Sequence, residues 1–397
     1  MKIPLLRSEV VDKSFRASSA KPDVTHQQVK LLWLGVGKAD FLDPQTSMFI
    51  ELLKQRTLAH QSLTTEGGHT GMNARHYLTE TLQKWFKQPA HPMDPPPRRV
   101  ATFALLAAAS VAFAQEKPAE SSPERARANF ARKIELAPDD VRLFPEAPDG
   151  FKTPRANLPH GKLDPFEYDS GVTGTRRKAI VYLPPGYSSE KKYPVVYLLH
   201  GIGGDPTEWL HAGSPNVVLD NLIADGKAVP MIVVLPNGRA LADDTPGQNI
   251  FAPEKVAGFA AFERDLLEFL IPAVQAKYST FTDREHRALA GLSMGGGQTL
   301  NFGFAHLDTF AWLGAFSSAP NTKPPAQLVP DPAAAKAQLK LLYLSCGNKD
   351  GLISFSQGVH RYLKEHDVPH LWNVDDHGHD GETWGSNFYH FAQRIFR

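Results

Sequence analysis

The chain predicts an α/β fold, with a mainly parallel central sheet and helices on both faces. Three observations carry that expectation. From about Ala147 onward, short β-branched and leucine-rich runs alternate with stretches of helical period, as in a parallel sheet buried on both sides. Residues 291–297 read Gly-Leu-Ser-Met-Gly-Gly-Gly, a Gly-x-Ser-x-Gly turn set between an apolar strand and a helix. An acid and a histidine, Asp350 and His379, then follow that serine on loops after later strands.

Residues 1–92 precede the alternating pattern and echo its end. Lys30-Leu31-Leu32-Trp33-Leu34 matches Lys340-Leu341-Leu342-Tyr343-Leu344 at an offset of 310. The offset holds without a gap to Phe86 and Phe396, with 15 of 57 pairs identical. Among them are Gly37/Gly347, Asp40/Asp350, Gly68/Gly378, His69/His379 and Gly71/Gly381. Shared strand–helix periodicity does not put the same Asp, Gly and His in register, so 1–92 reads as a partial duplicate of the C-terminal strand–loop–helix region without a nucleophile. It is then the tail of a sister domain, carried by gene fusion or a misplaced start codon, or alternatively an accessory lobe. Two copies are too few, and the period too long, for a solenoid.

Residues 93–114 resemble a signal peptide. Arg98-Arg99 precedes the apolar run Val100–Ala114, which ends in Ala112-Phe113-Ala114, an A-x-A site. With Met93 as the start the product is secreted or periplasmic; the alternative is an internal apolar helix, short for a bilayer span. Residues 115–149, rich in Ala, Pro, Glu and Arg, read as a linker with some helix, and 150–397 as the domain that carries the chemistry.

Within that domain the candidate strands are Ala179–Leu183, Val195–Leu199, Met231–Leu235, Arg287–Gly291, Trp312–Phe316, Leu339–Ser345 and Leu371–Asp375. The candidate helices are Pro215–Asp225, Phe259–Ala276, Gly297–His306, Phe355–His366 and Trp384–Phe396. In the second helix Phe259, Phe262, Leu266 and Phe269 recur at helical spacing and read as core. Composition adds exclusions. A formal net charge of +1 points away from nucleic acid and anionic membranes as partners. The one cysteine, Cys346, excludes an intrachain disulfide and a thiolate metal cluster, and its apolar setting reads as a buried strand thiol.

The chemistry comes from spacing. Gly291 and Gly295 flank Ser293 where a side chain would clash, so the turn lifts the hydroxyl above the sheet beside a helix N-terminus. A serine hydroxyl needs a base, and the base needs an orienting acid. The chain order Ser293, Asp350, His379 supplies both, with Asp350 after the strand ending near Cys346. His377 competes with His379. The front copy decides for His379, because it has His69 there and Gly67 in place of His377. Asp375, Asp376 and Asp380 are weaker acid candidates that read as solvated loop charges; His377, His379 and Asp380 could also be read as metal ligands, but no further ligand cluster accompanies them. Oxyanion donors are expected from the Met294 N–H and from the glycine-rich loop His200–Gly204, through the Ile202 N–H. His200 itself reads as shaping that loop. One such donor is worth roughly 3 kcal/mol in the transition state.

These stretches together resemble the putative-esterase family of α/β-hydrolases, and more closely feruloyl and acetylxylan esterases of carbohydrate esterase family one. The resemblance is carried by YLPPGY (182–187), YPVVYLLHGIGGDPTEW (193–209), LDNLIADGKAVPMIVVLPNGRA (219–240), ALAGLSMGGGQTLN (288–301) and GHDGETWGSNFYHFAQRIF (378–396), among others, and spans about residues 150–397. It implies an α/β-hydrolase fold and a serine esterase that removes acyl groups from plant cell-wall polysaccharide through an acyl-enzyme. The implied roles are Ser293 as nucleophile, Asp350 as acid, His379 as base, Ile202 and Met294 as oxyanion donors, and Trp209, Asn237 and Trp384 near the substrate. It implies no cofactor and no metal; the partner is an ester on polysaccharide or a small phenolic ester. Gly381 stands where many relatives have an aromatic, which implies a wider acyl pocket. Acetylxylan or general aryl ester hydrolysis, acyl transfer on the same fold, and glycan binding without catalysis are the alternatives.

Overall fold

The computed structural model describes residues 33–37, 54, 61–65 and 122–397. The signal-like segment 93–114, most of the duplicate 1–92 and the start of the expected linker lie outside the described residues. Two compact units divide the chain, Met1–Ala114 and Gln115–Arg397. In the first, β1 (Trp33–Gly37) and β2 (Gln61–Thr65) form a parallel pair.

The second unit is built on an eight-stranded sheet of order β10-β9-β8-β7-β5-β6-β4-β3. Its strands are β3 (Lys162–Ser170), β4 (Thr175–Leu183), β5 (Val195–Leu199), β6 (Ile232–Pro236), β7 (Arg287–Leu292), β8 (Trp312–Phe316), β9 (Leu341–Gly347) and β10 (Leu371–Asp375). Only β4 runs against the others. Both faces are covered, and β5 shows how. Val195, Tyr197 and Leu199 enter one apolar cluster, while Val196 and Leu198 enter another on the opposite face. A period of two between two cores forces a continuous apolar run, which is why these strands are legible in the sequence.

The helices are α1 (Pro123–Phe130), α2 (Glu208–Ala212), α3 (Pro215–Ala224), α4 (Pro253–Asp265), α5 (Ile271–Lys277), α6 (Met294–Ala305), α7 (Pro325–Leu328), α8 (Pro332–Gln338), α9 (Ile353–Glu365) and α10 (Gly381–Ala392). Among the described residues no helix is long and apolar enough to cross a membrane.

Three differences from the sequence reading have physical causes. Strand β3 was not expected, because Pro165 and alternating charges interrupt it; it is a sheet edge, where a missing N–H is tolerated. The single helix expected over 259–276 is instead α4, a π-helical turn at Leu266–Leu270, and α5. Pro272 lacks an N–H and crowds the carbonyl four residues back, which a π turn accommodates. Finally, residues 122–149 of the expected linker are packed on the domain. The Asp140 carboxylate accepts from Gln357 Nε2 (2.6 Å) and Trp372 Nε1 (2.9 Å). Val374 N–H donates to Val141 O (3.1 Å), and Asn373 Oδ1 accepts from Leu143 N–H (2.8 Å), so this arm covers the open edge of β10.

Candidate active site

Strand β7 ends at Leu292, and the chain turns into α6 through Ser293 with φ 54° and ψ −117°. A non-glycine residue held at positive φ stores strain, and the packing here enforces it. A Cβ on Gly291 would lie 2.5 Å from the Gly295 backbone, and one on Gly295 would lie 2.5 Å from Leu199 O. The turn is therefore wedged against the end of β5, with the Ser293 hydroxyl at the N-terminus of α6.

Asp350 follows β9 and His379 follows β10, so both reach the carboxyl edge of the sheet where Ser293 stands. His379 Nε2 lies 3.0 Å from Ser293 Oγ, and His379 Nδ1 lies 2.8 Å from Asp350 Oδ2. A carboxylate opposite Nδ1 keeps the proton on that nitrogen and leaves Nε2 free to accept from the serine hydroxyl. Asp350 is buried. Burial alone pushes its carboxyl up, but the hydrogen bond and charge of His379, with the Leu352 N–H (2.8 Å to Oδ1), hold it below the usual carboxylate range. Cys346 Sγ–H adds a weak donation to Asp350 Oδ2 at 3.3 Å.

The loop after β5 approaches the serine: a Cβ on Gly201 would come within 3.4 Å of Ser293 Cβ. Its peptide groups are fixed one by one. Gly238 N–H donates to His200 Nε2 (2.9 Å), so His200 carries its proton on Nδ1 and donates it to Gly201 O (2.7 Å). Burial pushes the His200 pKa down to about 4, which keeps the ring neutral. Because the peptide is trans, holding the Gly201 carbonyl toward His200 aims the Ile202 N–H the opposite way. Glu208 Oε2 accepts from Gly201 N–H (2.6 Å), and Arg239 donates to Ile202 O (2.7 Å). Arg239 is held in turn by its cation–π contact with Phe259, 5.0 Å from the ring centre. Met294 opens α6, so its N–H has no partner one turn back in that helix. Around the serine, Met294, Phe259, Ala319 and Leu352 form an apolar cluster with Ile202, Val256 and Phe355 packed on it.

A family model described as "Putative esterase" matches residues 170–387. The chain belongs to this esterase family. An endo-1,4-beta-xylanase/feruloyl esterase of Xylanibacter ruminicola is 31% identical over 261 residues, 64% of this chain and 34% of that protein. Endo-1,4-beta-xylanase Y of Acetivibrio thermocellus is 32% identical over 162 residues, 38% of this chain and 13% of that protein. The chain thus spans about a third or less of the length of these curated relatives. Among solved structures, a CE1 ferulic acid esterase of Anaeromyces mucronatus in complex with ferulic acid is 29% identical, with a TM-score of 0.57 over 66% of this chain and 98% of that one. The fold of this esterase-family chain is accordingly that of the α/β-hydrolases.

Of the residues singled out in the sequence, Ser293, Asp350 and His379 come together, with Met294 and Ile202 beside them. The other three are buried packing or bracing side chains, and of these Trp384 touches the relay through His379. Trp209 is 1% exposed, donates from Nε1 to Leu199 O (2.8 Å) and packs on Phe316 and Phe388. Asn237 is buried, donating to Asp244 O (2.8 Å) and accepting from Arg239 N–H (3.0 Å), with its Oδ1 also 3.1 Å from His200 Nε2. Trp384 is buried with its ring edge-on to His379, 5.2 Å between centroids, so it seats the imidazole.

Gly381 does not widen a pocket in this esterase-family chain. A Cβ there would lie 2.5 Å from Ala212 O, so the end of α2 excludes any larger residue. Asp375 is buried and takes hydrogen bonds from Asn387 Nδ2 (2.7 Å) and Thr383 Oγ1 (3.2 Å), contrary to its reading as a solvated charge. Asp380 caps α10, and Asp376 pairs with Arg142 (2.5 Å). Cys346 is the buried strand thiol expected from sequence, but its contact with Asp350 was not read there, and Glu208 and Arg239 were not singled out; each acts through a contact that only the tertiary structure creates.

Proposed function

We propose that this chain is a serine carboxylic-ester hydrolase of the feruloyl esterase kind, which removes acyl groups from plant cell-wall polysaccharide of the xylan type. The observation that carries the reading is the continuous relay from Asp350 through His379 to Ser293, with both hydrogen bonds at or below 3.0 Å. Ser293 Oγ attacks the ester carbonyl as its proton passes to His379 Nε2. The oxyanion is received by the N–H groups of Met294 and Ile202. Asp350 stabilises the imidazolium, which hands its proton to the departing alcohol. Water, deprotonated by His379, then attacks the acyl-enzyme, and Ser293 leaves with its proton restored.

The apolar cluster at the serine supports an aromatic acyl group, and the relatives named for feruloyl esterase activity support the same substrate class. Export rests on residues 93–114 alone; a mature N-terminus at Met1 in the natively expressed protein would exclude it. The direct test is Ser293→Ala assayed on methyl ferulate and p-nitrophenyl acetate, alongside labelling by a fluorophosphonate probe. The expected outcome is a loss of turnover by at least about 10⁴-fold and loss of labelling. Turnover at the parent rate would remove Ser293 from the mechanism.

A further inference from the structure

The arm ahead of the family-matched span reaches the relay. Phe130, the last residue of α1, sets its ring edge-on to His379, with centroids 5.2 Å apart and planes at 75°. Yet 47% of Phe130 stays exposed. It is held from several sides. Its backbone passes so close over Gly351, the residue after Asp350, that a Cβ there would collide with Phe130 Cα and O. The Arg132 guanidinium lies 5.5 Å over the Phe355 ring, Ile134 packs on the core, and Asp140 is tied to α9 and β10 as described.

An aromatic that only shielded His379 would bury itself against the imidazole. Phe130 instead leaves about half its surface open to solvent beside the imidazole. The chemistry says what lies there. His379 must pass its proton to the leaving alcohol, so the open side of the imidazole borders the alcohol, while the apolar cluster at Met294 and Phe355 faces the acyl group. We infer that Phe130 is a platform for the alcohol portion of the ester, a sugar ring whose C–H face packs on the aromatic while its hydroxyls remain in water. The inference rests on the reading of the chain as an esterase of polysaccharide-linked acyl groups.

The test holds the acyl group constant and varies the alcohol. Phe130→Ala in the full chain is assayed on methyl ferulate and on a feruloylated xylo-oligosaccharide. Expected is a fall in kcat/KM for the oligosaccharide that exceeds any fall on methyl ferulate by roughly 3- to 12-fold, the excess carried by KM. Phe130→Trp should keep the parent ratio. An equal fall on both esters would overturn the platform, since Phe130 would then merely seat His379; so would no fall on either. A parent protein that cleaves neither ester defeats the esterase reading and the platform with it. A parent that cleaves both, with a ratio untouched by Phe130→Ala, defeats the platform alone.

Discussion

Two pairs of parallel strands in this chain share one register and differ in what surrounds them. In β1 and β2, Trp33 stands opposite Gln61 and Gly37 opposite Thr65. In β9 and β10, Tyr343 stands opposite Leu371 and Gly347 opposite Asp375, every partner displaced by the same 310 residues. The second strands, QSLTT and LWNVD, have no residue in common at matched positions, so side-chain identity does not set the register. The connecting segments are equal in length and share Asp40/Asp350, Leu42/Leu352 and Leu53/Leu363. What separates the pairs is the company of β10 and β9. Ser293 stands at the end of β7 and the His200–Gly204 loop follows β5, whereas residues 1–92 contain no Gly-x-Ser-x-Gly. Asp350 and His379 therefore lie on one strand–loop–helix segment, while Ser293 and the His200–Gly204 loop follow other strands.

If that division holds, the strongest blow to the second pair is Asp350→Asn. The side chain keeps its shape, but an amide N–H facing Nδ1 drives the imidazole proton onto Nε2, where it can no longer accept from Ser293. Steady-state kcat on p-nitrophenyl acetate should fall about 10⁴-fold with thermal stability little changed. A fall of less than tenfold would shift the orienting role to one of Asp375, Asp376 or Asp380.

The parts of the site read from sequence were those whose function forces a local pattern. Gly291 and Gly295 are required by a close backbone crossing, and Asp350 and His379 sit at fixed places after strands with uninterrupted apolar runs. Trp209 and Asn237 were misplaced because the motif that contains each says nothing about side-chain direction. Phe130 was missed for the opposite reason. Its segment has a linker's composition, and its contacts are with residues more than two hundred positions away, such as Gly351 and His379. The edge strand β3 falls between these cases: its alternation is visible once Pro165 is allowed at an edge.

The part of the site with no counterpart in the first copy can be tested through pH. His200 is buried and neutral, with a pKa lowered from 6.5 to about 4. A protonated His200 could not accept from Gly238 N–H. Between about pH 6.5 and 4 the unfolded chain binds this proton and the folded chain does not, so stability is full above 6.5 and falls as the pH drops toward 4. At about 1.4 kcal/mol per unit, the loss through this group is up to about 3 kcal/mol. Denaturant unfolding at pH 7 and pH 5 should show a shallower pH slope in His200→Gln than in the parent. An unchanged slope would mean that His200 is not what the acid titrates.

The smallest effect is expected where the two copies look most alike. Asp40 and His69 occupy the positions of Asp350 and His379, so a shared-site arrangement would make them competitors or partners in turnover. The relay of the second copy is closed within itself by His379 lying 3.0 Å from Ser293 and 2.8 Å from Asp350, and the expectation is that Asp40 and His69 are bystanders. Replacing both, Asp40→Asn with His69→Ala, should leave kcat and KM on methyl ferulate within about twofold of the parent. The informative comparison is with the same two replacements in an Asp350→Asn background. If the front copy could lend its acid or base to Ser293, the residual turnover of Asp350→Asn would fall further when Asp40 and His69 are removed. Equal residual turnover in both backgrounds would show that the copy retains the strands and their register but takes no part in turnover.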